Sequence, residues 1–387
     1  MRRSVFRLLL VARTIRNAAF GALAVVLALV LADRGLDALS IGVILTLALL
    51  SGAAFAAATA WLTRRLGSRG ALVAASLTMA LAGALLAIAP SAALVVVAVL
   101  LGTVSPTGQD VGPFIPIEQA LIAGDDAHGG PTMRRFSAYN IVGNTATAFG
   151  ALLAAAFAPG AVLIGYGVTG VLLAGVYAML PPDQAARGGA EPVAPKTRPR
   201  WGPVEQLTLL FGVDALAGGF VVQSFLAYWF HLRFGTDEHQ LGLLLFGANV
   251  LATFSLVAAP WLARQIGLLP TMVFTHLPSN ILLIAVPYMP TYQLAVTVLL
   301  ARFALSQMDV PSRQAFTMAL VKPEERHRAA GLTNAVRPAA AAAAPVLAGL
   351  ALQNAAFGLP FVLAGGLKVA YDLALLVVFS RHRDLRS

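Results

Sequence analysis

The sequence predicts an all-α integral membrane protein of about twelve transmembrane helices in two pseudo-symmetric six-helix bundles. Three observations predict it: the composition, the number and length of the apolar windows, and a repeat at a shift of 200 residues. Of 387 residues, 58% are hydrophobic and 11% charged, with a mean hydropathy of +0.79. That is more apolar surface than a water-soluble core of this size can enclose, so lipid has to be the solvent.

The elements follow in order. The N-terminal MRRSVFRLLLVARTIRN has a basic start, but Arg13 and Arg16 interrupt its apolar region and no small-residue cleavage site closes it. It is expected to begin the first helix rather than to be a signal peptide. Apolar windows of spanning length, roughly 20 residues, fall near 8–31, 40–62, 71–89, 92–121, 136–158 and 161–180, then near 205–232, 240–262, 271–289, 292–320, 330–351 and 358–380. Between the sets lies PPDQAARGGAEPVAPKTRPRWGP, rich in Pro, Gly and charge. This stretch, 181–203, is expected to be a cytoplasmic linker between an N-terminal bundle, 1–180, and a C-terminal bundle, 204–387.

Orientation follows from Lys and Arg, because positive loops stay in the cytoplasm. With the N-terminus inside, cytoplasmic segments carry Arg2, Arg3, Arg7, Arg64, Arg65, Arg69, Arg134, Arg135, Arg187, Lys196, Arg264, Lys322, Arg326, Arg328 and Arg381, whereas the outer loops hold only Arg34 and Arg233. Both termini and the linker are expected inside, in a bacterial inner (cytoplasmic) membrane. The net charge of +10 is thereby a matter of topology; no separate basic domain exists for a nucleic-acid partner.

The repeat needs no gap. Phe20, Gly35, Asp37, Gly42, Ala58, Trp61, Leu62, Arg64 and Gly67 recur as Phe220, Gly235, Asp237, Gly242, Ala258, Trp261, Leu262, Arg264 and Gly267. Ala, Leu and Gly coincide often in so biased a sequence, so Trp-Leu-x-Arg-x-x-Gly is the informative part. The second-to-third loop, Ala60-Trp-Leu62-Thr-Arg64-Arg65-Leu-Gly67-Ser-Arg69, resembles the Gly-x-Leu-x-Asp-Arg-x-Gly-Arg-Arg loop of the major facilitator superfamily, with Arg64 where that family has Asp. The resemblance implies two six-helix bundles related by an axis along the membrane normal. It also implies that the first, fourth, seventh and tenth helices line a central cavity and that the third, sixth, ninth and twelfth lie outside. The family's fourth-helix Arg is replaced here by Thr103, with Arg302 at the equivalent depth of the other half, and the fifth span lacks the Gly-Pro antiporter pattern.

Inside the windows stand Arg13, Arg16, Arg302, Arg313, Arg337 and Lys368, and against them Asp110, Glu118, Asp214, Asp309 and Asp372. A charge at the bilayer centre costs about 2.5–3.5 kcal/mol on insertion scales, so each must face a partner or a wet cavity. Lys368 and Asp372, four apart, are expected to pair with each other on one helix face. Arg13, Glu118 and Arg313 are expected to snorkel or to close ion pairs near the cytoplasmic face.

The fourth and tenth windows are expected to be broken. The fourth holds Pro106, Pro113 and Pro116 among Gly108 and Gly112, the tenth holds Pro311, and both read Asp-Val near a Pro, with Gln-Ala further on. Backbone freed in this way is tolerated only beside protein or water. Candidate substrate-binding residues are Arg16, Arg302, Arg337, Gln109, Asn140, Asn334 and Gln307. Candidate proton-coupling residues are Asp110, Asp214 and Asp309, and candidate gating residues are Arg64, Arg264, Glu118 and Arg313.

Several classes are excluded. There is no cysteine and no GxxxxGK[ST] loop, and the six histidines form no HExxH spacing, so neither ATP-driven transport from this chain nor metalloenzyme chemistry has support. No cofactor and no metal are expected. The sequence is expected to act, as a monomer in a lipid bilayer, as a non-enzymatic secondary transporter of a small-molecule substrate, anionic or zwitterionic, coupled to a proton or another ion, with export slightly favoured. The alternative is a non-transporting sensor or lipid-handling protein on the same scaffold.

Overall fold

The computed structural model describes residues 2–88, 91–124, 132–182, 202–320, 332 and 336–379. Nearly all of the 181–203 linker, together with Thr333, Asn334, Lys322, Arg326, Arg328 and Arg381, lies outside them. The helices are α1 (Arg2–Asp33), α2 (Ala38–Ala57), α3 (Thr59–Ile88), α4 (Ala92–Leu100), α5 (Phe114–Gly124), α6 (Thr132–Ala156), α7 (Pro159–Ala178), α8 (Pro203–Gly219), α9 (Gln223–Phe234), α10 (Glu238–Ile266), α11 (Leu268–Ala285), α12 (Tyr292–Leu305), α13 (Asp309–Leu320), α14 (Ala344–Gln353) and α15 (Leu359–Phe379). A further helical stretch, 336–342, precedes α14.

Among the described residues ten helical segments are long and apolar enough to cross a membrane. Two expected windows remain: the fourth, broken into α4 and α5, and α6, 25 residues long. Outer faces are apolar, with Phe149, Phe254, Phe274 and Val377 more than half exposed, as lipid contact requires.

The chain divides into two compact units, Met1–Val193 with Gln223–Phe246, and Ala194–Val222 with Gly247–Ser387. Residues 223–246 group with the first unit because they pack on it: the Ser224 N–H donates to the Pro106 carbonyl at 3.0 Å, and Gly242 lies against Ala151 and Ala155. Small residues set the close helix contacts within that unit. A Cβ at Gly150 would strike the Ala18 carbonyl, and one at Gly21 the Thr147 carbonyl, so α1 and α6 meet backbone to backbone. With no hydrophobic gain available between helices in lipid, such close packing is what holds them together.

The repeat is present in local geometry. Gly35 and Gly235 both close a helix with positive φ, 80° and 65°, the left-handed C-terminal position that favours glycine. Two residues on, Asp37 accepts from the Ser40 N–H and Asp237 from the Gln240 N–H, each at 2.8 Å, capping α2 and α10. Gly67 and Gly267 take φ 69° and 93° with ψ 168° and 164°, which no β-carbon tolerates cheaply, and break the chain between spans. Trp61 and Trp261 are 54% and 58% exposed. One difference is that the break expected after residue 62 falls at Gly67, with only a single turn at Ala58 dividing α2 from α3.

Candidate functional site: two buried charge clusters

In the first unit, α4 stops at Leu100 and helix resumes at Phe114, with Gly102, Gly108 and Gly112 all at φ 72° between them. The freed backbone is satisfied from neighbouring helices and from within the break. Tyr166 donates to the Thr103 carbonyl at 2.5 Å, Thr147 to the Gly108 carbonyl at 3.1 Å and Ser105 to the Gln109 carbonyl at 2.5 Å. The break thus obeys the requirement that irregular backbone at membrane depth be covered by protein.

Its consequence is to deliver Asp110 and, from α5, Glu118 to Arg16 on α1. Arg16 is fully buried. Its Nε donates to Asp110 Oδ1 at 2.5 Å, and its Nη1 and Nη2 grip Glu118 Oε1 and Oε2 at 3.0 and 2.7 Å, the two-pronged geometry that a guanidinium favours. Tyr177 on α7 accepts from Arg16 and donates to Glu118 Oε1 at 2.5 Å. Tyr139 on α6 donates to Glu118 Oε2 and accepts from Arg13 Nη1 at 3.0 Å, while Arg13 also pairs with Asp110. Arg16 lies over the Phe114 ring at 4.6 Å. Two cations and two carboxylates close on one another, and each nitrogen of Arg16 is engaged.

The second unit builds a different cluster. Asp214 on α8 receives Lys368 Nζ on Oδ1 at 2.5 Å and both Arg313 and Arg337 on Oδ2 at 3.1 Å. Arg313 also holds Asp309, one turn earlier on α13, at 2.9 Å. The Lys368 and Asp372 pairing expected from their spacing is not found. Lys368 goes across to Asp214, and Asp372 bonds His276 Nδ1 at 2.8 Å and accepts from Asn280 Nδ2 at 3.0 Å. A tertiary carboxylate on α8 outcompetes the local one.

Arg302, in the last turn of α12, lies over Phe303 at 4.5 Å. Its Nε is buried without a hydrogen-bond partner, and among the described residues no carboxylate comes within ion-pair distance. The expected break in this window is at Ser306–Met308, ahead of Pro311, which sits in the first turn of α13, where its missing N–H costs nothing.

Other expected residues stand apart. Gln109 and Gln307 are partly buried, and the Gln307 N–H donates to Ser255 at 3.2 Å. Asn140 is exposed, its neighbour Tyr139 being the buried one. Asn334 lies outside the described residues. Arg64 and Arg264 are exposed and belong to neither cluster. Arg13, Glu118 and Arg313 do not snorkel: they are 4%, 0% and, by side chain, 12% exposed, inside the two networks. Sequence reasoning missed Tyr177 and the pairing of His276 with Asn280, although a histidine and an asparagine four apart in an apolar helix share one face.

No family profile matches this chain. The chain is 25% identical over 366 residues to an uncharacterized membrane protein of Saccharomyces cerevisiae, covering 82% of this chain and 81% of that one. Among solved structures, a point variant of the nucleoside transporter NupG superposes with a TM-score of 0.77 at 13% identity, over 97% of this chain and 100% of the other. A bacterial homologue of the iron transporter ferroportin, inward-facing, gives 0.73 at 15% identity over 98% and 99%. The human organic anion transporter MFSD10 gives 0.65 at 17% over 97% and 99%. The chain has the major facilitator superfamily fold. It is accordingly a multi-pass membrane protein; with a relative in yeast, the expectation of a bacterial inner membrane gains no support. In a chain of this superfamily fold the two clusters occupy the two units separately, one in each.

Proposed function

We propose that this chain is a secondary active transporter that moves a small anionic or zwitterionic solute by alternating access, driven by a proton gradient. The carrying observation is the charge balance of the second unit. Among the described residues Arg313, Arg337 and Lys368 pair with Asp214 and Asp309, Asp372 is taken up by His276 and Asn280, and the cation left over is Arg302. A half-buried guanidinium at membrane depth, its Nε buried and unpartnered, is costly without a carboxylate unless something else supplies the anion, and its planar fork suits a carboxylate or phosphate. Arg337, whose side chain is 29% exposed, gives that region a second, partly exposed cation. The organic anion transporter among the structures of the same fold supports the solute class. Arg16, engaged on every nitrogen, is assigned with Glu118 to holding the first unit together rather than to the solute.

The test is flux into proteoliposomes. Mono- and dicarboxylates and organic phosphates should move, faster under an imposed pH gradient, and Arg302→Gln should abolish that movement. A neutral nucleoside carried as well as the anions, with Arg302→Gln unaffected, would remove the anion assignment; no solute carried at all would remove transport.

A further inference from the structure

The three carboxylates expected to handle protons, Asp110, Asp214 and Asp309, are each held by Arg or Lys. Asp372 is not. It is fully buried, and among the described residues no Lys or Arg lies within ion-pair distance of it. Its partners are His276 and Asn280, both on α11, four residues apart and both buried. Gly365 makes this possible: a Cβ there would press on the Asn280 carbonyl and Ile284, so α15 approaches α11 closely at this level.

The imidazole stands between two carboxylates. Nδ1 is 2.8 Å from Asp372 Oδ1 and Nε2 is 4.0 Å from Asp214 Oδ1. The Tyr371 ring packs edge-on against it at 6.1 Å between centroids. The charged groups around it are Asp214 from α8, Lys368 and Asp372 from α15, Asp309 and Arg313 from α13, Arg337 from 336–342, and Arg302, whose carbonyl accepts from Ser279 on α11 at 3.2 Å. A carboxylate at membrane depth with no fixed cation needs a proton close by to balance it, and histidine is the side chain suited to gain and lose one near neutrality.

We propose that His276 and Asp372 form the proton-binding site of this chain. One proton stays between Nδ1 and Asp372 Oδ1; a second, taken from water, forms the N–H bond at Nε2, giving an imidazolium flanked by Asp372 and Asp214. Asn280 positions Asp372 by donating to its other oxygen. Lys368 shares Asp214 Oδ1 and opposes the new charge. An anion at Arg302 offsets it, so proton and anion uptake favour one another. This deepens the transport reading, and rests on it only for the statement that the bound proton is the coupling ion.

The test is NMR of the protein in detergent with its six histidines labelled at the ring nitrogens, His276→Gln assigning the signal. In the wild type the His276 ring should gain its second proton at Nε2 on acidification, and in Asp372→Asn it should not. A His276 Nε2 that binds no proton in the folded wild type would overturn the site, and that result stands even if Asp372→Asn fails to fold. No solute enters the experiment. A titrating His276 in a protein that moves none of the tested solutes would sink transport and leave the site; the reverse result would do the opposite.

Discussion

The cluster in the first unit closes on itself, and the one in the second does not. Arg13 and Arg16 meet Asp110 and Glu118, and two tyrosine hydroxyls bridge the arginines to Glu118. In the second unit three cations share Asp214 and Asp309, Asp214 alone receives all three of them, Asp372 is left to His276, and Arg302 receives no carboxylate. A balanced network of buried charge ties helices together; on the transport reading proposed above, the unbalanced one is where a solute anion would complete the charge.

The largest effect should come from breaking the balanced network. Arg16→Ala strips Asp110 and Glu118 of their main cation, and removal of one partner of a buried pair costs about 3–5 kcal/mol. Thermal unfolding in detergent should show a large loss of stability and a fall in monodisperse yield. A variant as stable as wild type would mean that the first cluster is not structural.

A smaller loss is expected from the packing that brings those groups together. Gly150→Leu drives side-chain atoms into the Ala18 carbonyl and should cost about 1–3 kcal/mol by overpacking, measured by the same unfolding experiment. No change would show that α1 and α6 are free to separate at this level.

The repeat sets the next scale. Gly67→Ala and Gly267→Ala each force a β-carbon into positive φ and should each destabilise by about 1 kcal/mol. Equal effects would sharpen the correspondence between the halves; one neutral and one severe would break it.

The sequence was informative to different degrees for these features. The 200-residue correspondence was legible because helix-ending glycines and capping aspartates act locally: Gly35 and Asp37 need only their own turn, and so do Gly235 and Asp237. The break after Leu100 was legible for the same reason, since proline and glycine act on their own backbone. The partners of the buried charges were not. Lys368 and Asp372 satisfy the spacing rule for a helix pair, yet Lys368 crosses to Asp214, because which helices approach is set by packing, as where Gly365 lets α15 close on α11, rather than by the charged residues themselves. Tyr139 and Tyr177 gave the weakest signal: a tyrosine in an apolar span announces a hydroxyl that needs a partner, but not that both hydroxyls serve one glutamate.

The smallest expected change in stability is at Arg302, and there the two clusters separate most cleanly. Arg302→Gln removes a cation that pairs with no described carboxylate, so the folded protein should be as stable as wild type or more so, in contrast to Arg16→Ala. The decisive measurement is the shift in unfolding temperature produced by organic anions, compared between wild type and Arg302→Lys, which keeps the charge and loses the planar fork. The account predicts that the wild type is stabilised in proportion to the logarithm of anion concentration, that a neutral nucleoside does nothing, and that Arg302→Lys needs at least about tenfold more anion for the same shift, a difference of about 1.4 kcal/mol in binding. Equal shifts in the two proteins, or none in either, would contradict it and return Arg302 to a structural role.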